Sequence, residues 1–449
     1  MSEKKIIALI CVWMATLFAY ADVTSEKNFG AKSDGAPAVN LEQVREKLTS
    51  PFHERLLRGT YDSIRGRIAD DGYFPESLTG AYAGMFPRVV GALAQLLMET
   101  GEPDCAEQVI HYCIQGMLDN DMERIPHVLH PRDDTGRIPL RCDEDQIDGQ
   151  ASVILAWALL AKSRGRTPYE DLSYPIVATL MDQSTLPPYF MAEPTGGRNL
   201  PGLVRNMNLE HSRDAHFWDA YDFLTQSFVA SALENMIHVA NRRMDASHAE
   251  RWSDTLARLN ANVAKHMIRN LNGETIYLEM LLPTDPDPIP FPGLGWLNLA
   301  PIPSGWRGVD TALFNNTIET WRRVARIDWD GPAATSSDWL PKGHVDASGN
   351  QQSNMVIGKV LGWDMLHAMQ NEQYGVVSSS LDFLERTNKH SLFAEAFSYD
   401  PDTAEWRLND PGNGEQACWW TWAMTRIRKQ AGLPLLPKPA VAQGQGGTK

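Results

Sequence analysis

Eight stretches of this chain place apolar side chains at i, i+3, i+4 and i+7, and that periodicity limits the fold more than any other feature. They are 88–100 (RVVGALAQLLMET), 104–117, 150–162, 225–242, 246–270, 315–325, 352–370 and 419–430. A 3.6-residue period gives each stretch one face to bury, so each predicts a helix that must pack against another. Strand-like runs are few, and Thr275–Leu281 is the clearest. The helices come in pairs without the fixed-length repeat of a solenoid. About 410 residues lie between an apolar N-terminal run and a Pro/Gly-rich end, and no linker divides them, which predicts a single all-α domain over 41–432. Residues 22–40 read as an N-terminal extension and 433–449 as a disordered tail.

The N-terminus reads as an export signal. Lys4 and Lys5 precede an apolar run, Ile6 to Phe18, and Ala19-Tyr20-Ala21 supplies small residues for cleavage before Asp22. The run is too short to span a bilayer, so the mature chain is expected to be exported and free of the membrane. Cleavage removes one acid and two bases and moves the formal net charge from −15 to −16. With no cluster of Lys and Arg, nucleic acid is an unsuitable partner. Cleavage also takes Cys11 and leaves Cys105, Cys113, Cys142 and Cys418. Cys105 and Cys113 lie about 12 Å apart along one predicted helix, beyond disulfide reach. Buried free thiols are expected, with a distant disulfide from Cys142 as the alternative. No Cys/His spacing suggests zinc.

The loops between the helices carry the chemistry. Leu282–Gly308 and Asp328–Gly349 are long and rich in Pro, Gly and Trp, and loops of that length build sites more often than they merely connect. Trp329, Asp338, Trp339 and His344 gather in the second of them, near Asn350. In Asp410–Met424 (DPGNGEQACWWTWAM), Glu415 sits between glycine-rich turns and tryptophans. Carboxylates beside aromatic platforms suit sugars, whose apolar faces stack and whose hydroxyls hydrogen-bond. Asp285 and Asp287 could ligate calcium, although a Pro-rich turn explains them more simply.

Four segments then fall in a telling order. Met85-Phe86-Pro87-Arg88 opens one helix, and Asp143–Gln150 (DEDQIDGQ) precedes the next. Asn206–Asp214 (NMNLEHSRD) precedes a third, and Ser391–Met424 holds both Glu395 and Glu415. Together they resemble the α/α-barrel glycoside hydrolases, the glucoamylase family first, with features of trehalases and processing α-glucosidases. The resemblance implies an (α/α)6 barrel with long irregular loops and minor β structure. It implies an exo-acting, inverting glycosidase with a carbohydrate substrate and no cofactor. Arg88 resembles the arginine of an aromatic-x-Arg-Asp clamp on a hydroxyl pair, with Val89 in place of the aspartate. Asp148, in a Gln-x-Asp-Gly segment, is expected to touch substrate, whereas Glu144 and Asp145 suit the helix N-terminus. Glu210 matches the general acid of a Leu-Trp-Glu segment, with Leu209 for the tryptophan; the trehalase pattern would instead use Asp214. Glu395 matches the general base by position, and Glu415 resembles the glutamate of the trehalase lid. Trp420 opens a segment similar to the Trp-Ser-x-Ala motif and joins Trp339 and His344 as an expected sugar contact.

Two other readings stay open. A polysaccharide lyase on the same scaffold could draw on Tyr221, His211, His216 and Arg213, and a carbohydrate-binding protein without catalysis would explain Val89. Asn28–Gly35 (NFGAKSDG) resembles the opening of pectin-degrading parallel β-helix enzymes, but the helical pattern that follows argues against that fold. The sequence says nothing of oligomeric state.

Overall fold

Helices that bury every side can only lie inside a fold, and those that bury one stripe form its outside. The computed structural model describes residues 39–80, 83–142, 146–185, 200–206, 220–271, 273–281, 294–337 and 354–439. Its long helices are α1 (Leu41–Leu48), α2 (Pro51–Arg67), α3 (Pro87–Glu99), α4 (Pro103–Asp119), α5 (Ile147–Arg164) and α6 (Pro168–Thr185). They continue as α7 (Phe223–Arg242), α8 (Ala246–His266), α9 (Thr311–Val324), α10 (Gly358–Gln370), α11 (Tyr374–Thr387) and α12 (Gly414–Gln430). Of these, α3, α5, α7, α10 and α12 are buried almost all round. By contrast α8 buries one stripe, Ala249, Trp252, Thr255, Leu259 and Val263.

The buried helices form a ring. α3 packs on α5, α5 on α7, α10 on α12, and α12 returns to α3. Between α7 and α10 the sixth place is taken by a short pair of turns, a 3₁₀ turn Trp296–Leu299 and a helical turn Pro301–Ser304, which touches both neighbours. Each inner member leads to an outer helix, and the last pair joins α12 to α2 from the start of the domain. Six such hairpins make an all-α (α/α)6 barrel. Side-chain caps fix several helix starts: Ser50 with Pro51 at α2, Asp222 at α7, Asp245 at α8, Asp310 at α9 and Asn413 at α12.

The minor β structure lies in the connections. β1 (Val128–Leu129) pairs with β2 (Leu140–Cys142), β3 (Tyr221–Asp222) with β6 (Met280–Leu281), and β4 (Ile268–Leu271) with β5 (Glu274–Tyr277). β7 (Met355–Ile357), β8 (Ala394–Asp400) and β9 (Glu405–Pro411) form an antiparallel sheet beside α10 and α12.

Several sequence expectations shift. The helix expected to Asn270 ends at His266, and β4 takes the remainder, held to β5 by ladder bonds that a helix end cannot offer. Likewise β7 replaces the start of the helix expected from Gln352. Leu433 and Leu436, expected in a disordered tail, pack on the core, and Arg428 Nε donates to Pro434 O at 2.8 Å. Cys105, Cys113 and Cys418 are free thiols, and burial pushes the Cys113 thiol up to about 12. No helix among the described residues is long and apolar enough to cross a membrane.

Candidate active site

A cavity of about 370 Å³ opens where the N-terminal ends of the inner helices converge. α3 brings Arg88 to it, the residue before α5 brings Gln146, the short sixth member brings Trp296, α10 brings Lys359, and α12 brings Glu415 and Gln416. Phe86, Met355 and Ile357 supply apolar wall, and β8 and β9 add Glu395 and Asn409. Inner helices that point the same way place their dipoles' positive ends here, which suits carboxylates and polar ligands.

Glu395 reaches the cavity because β8 is pinned on both edges, with Ala396 opposite Ile357 of β7 and Asn409 of β9. Its carboxylate receives no hydrogen bond from a described residue. Burial raises its pKa above the usual carboxylate range, the negative charges of Asp410 and Glu415 push the same way, and Lys359 opposes them. Asp410 has φ 34°, a left-handed conformation, and its buried Oδ2 has no partner among the described residues. Burial raises the Asp410 pKa too.

Glu415 is held differently. Lys359 Nζ donates to Glu415 Oε1 at 2.6 Å, and the same ammonium lies 4.6 Å from the ring centre of Trp296 and 5.8 Å from that of Trp363. Asn413 caps α12 by accepting from Gln416 N at 3.2 Å. Gly414 N donates to Glu76 O, and a Cβ at Gly414 would stand 2.6 Å from that oxygen, so only glycine permits the approach. Leu78 N donates to Gly412 O at 2.7 Å. These bonds fasten the loop before α12 to residues 76–78 and bring Glu76, a third carboxylate, into the cavity wall.

Arg88 is gripped from the neighbouring helix. Its Nε and Nη2 donate to Asp148 Oδ2 and Oδ1 at 2.5 and 3.1 Å, a two-point ion pair, and Asn206 Nδ2 donates to Oδ1 at 3.2 Å. Asp148, expected to touch substrate, is 2% exposed and outside the cavity lining, and it holds Arg88, which is in that lining. Arg88 keeps the Asp148 carboxyl below its ordinary pKa against the opposing effect of burial. At the start of α7, burial and the Asp148 charge push Asp222 up to about 6.

Trp420, expected as a sugar platform, is 0% exposed and stacked on Phe393 with ring centres 4.3 Å apart; it is a core residue outside the cavity wall. Trp329 also packs inward, 5.1 Å from Trp406. Buried Tyr221, considered for lyase chemistry, accepts from Leu200 N at 3.4 Å and is not part of the wall. Glu210, Asp214, Trp339 and His344 lie outside the described residues, as do Glu144, Asp145, His211, Arg213, His216, Asp285, Asp287 and Asp338. The flanks of two of these segments are described. Asn206 and Ala220 bridge to each other beside Asp148, and Ser337 bonds Met355 O and Ile357 N at 2.7 Å each. Among the described residues no group of three or more His, Cys, Asp or Glu is placed to hold a metal.

Sequence reading missed Glu76, Gln146, Trp296 and Lys359 as wall residues. A usable signal existed for Lys359: it is a lone charge in GKVLGW, an otherwise apolar stretch at a helix start.

No family model and no curated protein sequence matches the chain. Solved structures do share its fold. A bacterial glucoamylase complexed with acarbose superposes with a TM-score of 0.60 at 14% identity, covering 84% of this chain and 56% of that one, so the present chain spans little more than half of it. A protein described as a glycosidase gives 0.58 at 13% identity over 88% of this chain and 98% of that one. A Streptococcus pneumoniae α-mannosidase, described as metal-independent and bound to α-1,6-mannobiose, gives 0.58 at 13% over 86% and 97%.

Proposed function

We propose that the chain is a glycoside hydrolase acting on an oligo- or polysaccharide, with its active site in the cavity at the inner-helix N-termini. One observation carries the reading: Glu395, a half-buried carboxyl with a raised pKa and no hydrogen bond from described residues, faces a sugar-sized cavity that also holds an ion-paired second carboxylate, Glu415. A carboxylate of raised pKa is the stronger base once ionised, which fits removal of a proton from an attacking water. Glu415, held by Lys359, then serves as a fixed charge that keeps Glu395 basic.

The acid is proposed at Glu210, with Asp214 as the alternative. In support, the segment carrying both leaves the described chain at Asn206 and returns at Ala220, and those flanks are bonded beside the Arg88–Asp148 pair. In this scheme the acid protonates the leaving oxygen while Glu395 activates water from the opposite face, giving inversion, and attack at a chain end is proposed with it on the resemblance alone. Trp339 and His344 are proposed as sugar contacts on similar grounds, because their segment begins beside Ser337, which is bonded to the cavity-wall strand β7. Export with cleavage after Ala21 is part of the same proposal.

The test is a screen of aryl glycosides and oligosaccharides read by released reducing ends, with product anomers followed by NMR. Glu395→Gln should lower kcat by about 10²–10⁴-fold with unchanged melting. Full activity in that variant removes Glu395 from the chemistry, and ultraviolet-absorbing unsaturated products would move the chain to the lyases.

A further inference from the structure

Gln146 stands at the N-cap of α5, where a side chain ordinarily accepts from the first turn, yet it makes no capping bond. It is 4% exposed, lines the cavity, and neither its Oε1 nor its Nε2 has a partner among the described residues. Its position is set by the next turn: a Cβ at Gly149 would stand 2.5 Å from Gln146 Oε1 and 3.0 Å from Pro87 Cγ, so the glycine makes room for the amide. Trp296 repeats the pattern. It is 5% exposed in the same wall, its backbone N donates to Ser337 O at 2.8 Å, Lys359 Nζ lies over its ring, and its indole N–H has no described partner. Buried polar atoms in folded proteins are mostly bonded, and among the orphaned atoms of the described residues these three belong to residues of the cavity wall, where a small turn of each side chain brings them to a ligand that completes them.

We infer that Gln146 and the Trp296 indole form a hydroxyl-reading subsite that takes a neutral glycosyl unit through two adjacent hydroxyls. The inference rests on the sugar-binding part of the reading above and not on hydrolysis. An amide offers one acceptor and one donor side by side, matching a hydroxyl pair in which one donates and the other accepts; the indole only donates. Neutrality follows from the charges. Glu76, Glu395 and Glu415 face the cavity, while Arg88 is committed to Asp148 and Lys359 to Glu415, so no uncommitted cation remains in the described wall for a uronate carboxylate.

Calorimetric titration of the full chain with methyl α-D-glucopyranoside, methyl α-D-mannopyranoside and sodium D-glucuronate tests this. Wild type should bind at least one neutral glycoside, and glucuronate at least about tenfold more weakly; Gln146→Leu should weaken the glycoside by about 10- to 100-fold and Trp296→Phe by about tenfold. Equal binding by both variants, tighter glucuronate, or no binding of either glycoside overturns the inference. If Gln146→Leu does not fold, the Trp296→Phe titration decides. Gln146-dependent binding with no cleavage of any substrate would sink the hydrolase reading alone. Cleavage with KM unchanged in both variants would sink this one alone.

Discussion

Lys359 Nζ lies 2.6 Å from Glu415 Oε1, and this contact separates the roles of the two carboxylates that β8 and α12 bring to the cavity. Glu415 is fixed and partly neutralised. Glu395 feels the same ammonium only through space and accepts nothing from described residues, so it remains available to a water. Burial raises Glu395's basicity first, the charges of Asp410 and Glu415 raise it further and Lys359 lowers it, so a charge change can shift it in either direction.

Lys359→Met removes the charge that lowers the Glu395 pKa. A base works only when ionised, so activity is lost as pH falls through its pKa. The acidic limb of kcat/KM against pH should therefore move up in this variant. A limb that stays in place would show that another group controls it.

Asp410→Asn should move the same limb down. After burial, Asp410 is the charge that raises Glu395 most. Asparagine tolerates the left-handed backbone at this position, so the fold should hold. Opposite shifts in the two variants, from one pH titration series, would identify Glu395 as the titrating base.

Asp222→Asn should stabilise the protein at pH 7.5 and not at pH 3.5. The folded carboxyl is raised to about 6 from 3.8, so the folded chain takes up a proton within that window. Stability thus falls as pH rises through it, the cost being absent below and complete above. Asparagine keeps the cap on Thr225 N, now 2.7 Å from Oδ1, and removes the charge facing Asp148. Urea unfolding at the two pH values should differ by on the order of 1–3 kcal/mol in the benefit seen.

Arg88→Met leaves Asp148 buried without its countercharge. Breaking one side of such a pair costs about 3–5 kcal/mol, so the variant should unfold at markedly lower denaturant. Adding Asp148→Asn should recover part of that stability without restoring activity, because the cavity still lacks the guanidinium. Equal stability of all three proteins would mean that the ion pair does not hold the α3–α5 contact.

Gly91→Ala probes that contact itself. A Cβ there would overlap Ser152 Oγ of α5, so the inner helices would have to separate, at about 1–3 kcal/mol. Ser152→Gly in the same chain should return most of the loss, read by thermal melting.

The ring was legible in sequence where apolar residues ran densely, as in α3, α5, α7 and α12. Helices α1, α2, α6 and α11 were not: in α6, Pro175 interrupts the pattern as a breaker would, and packing against α5 and α7 holds that stretch helical. The β8–β9 hairpin was hidden because β8 buries two consecutive residues, Ala396 and Phe397, and β9 has only half-buried and exposed positions. Within the site, Arg88, Glu395 and Glu415 stood out because each lies in a segment with a recognisable neighbourhood. The Arg88–Asp148 pair was illegible because its members are 60 positions apart, and Trp420, beside a glycine-rich loop, looks exposed until the helix that carries it is seen to be central. Gln146, Trp296 and Lys359 come from three separate ring members, and nothing in one dimension links them.

Because α12 completes the ring by docking on α3 and on α2, the wall that carries Glu415 comes into being only when the first and last helices of the ring meet. A chain emerging from the ribosome would hold eleven of the twelve long helices with the cavity wall still unfinished, and a C-terminal truncation that takes α12 would open the whole ring rather than trim one edge.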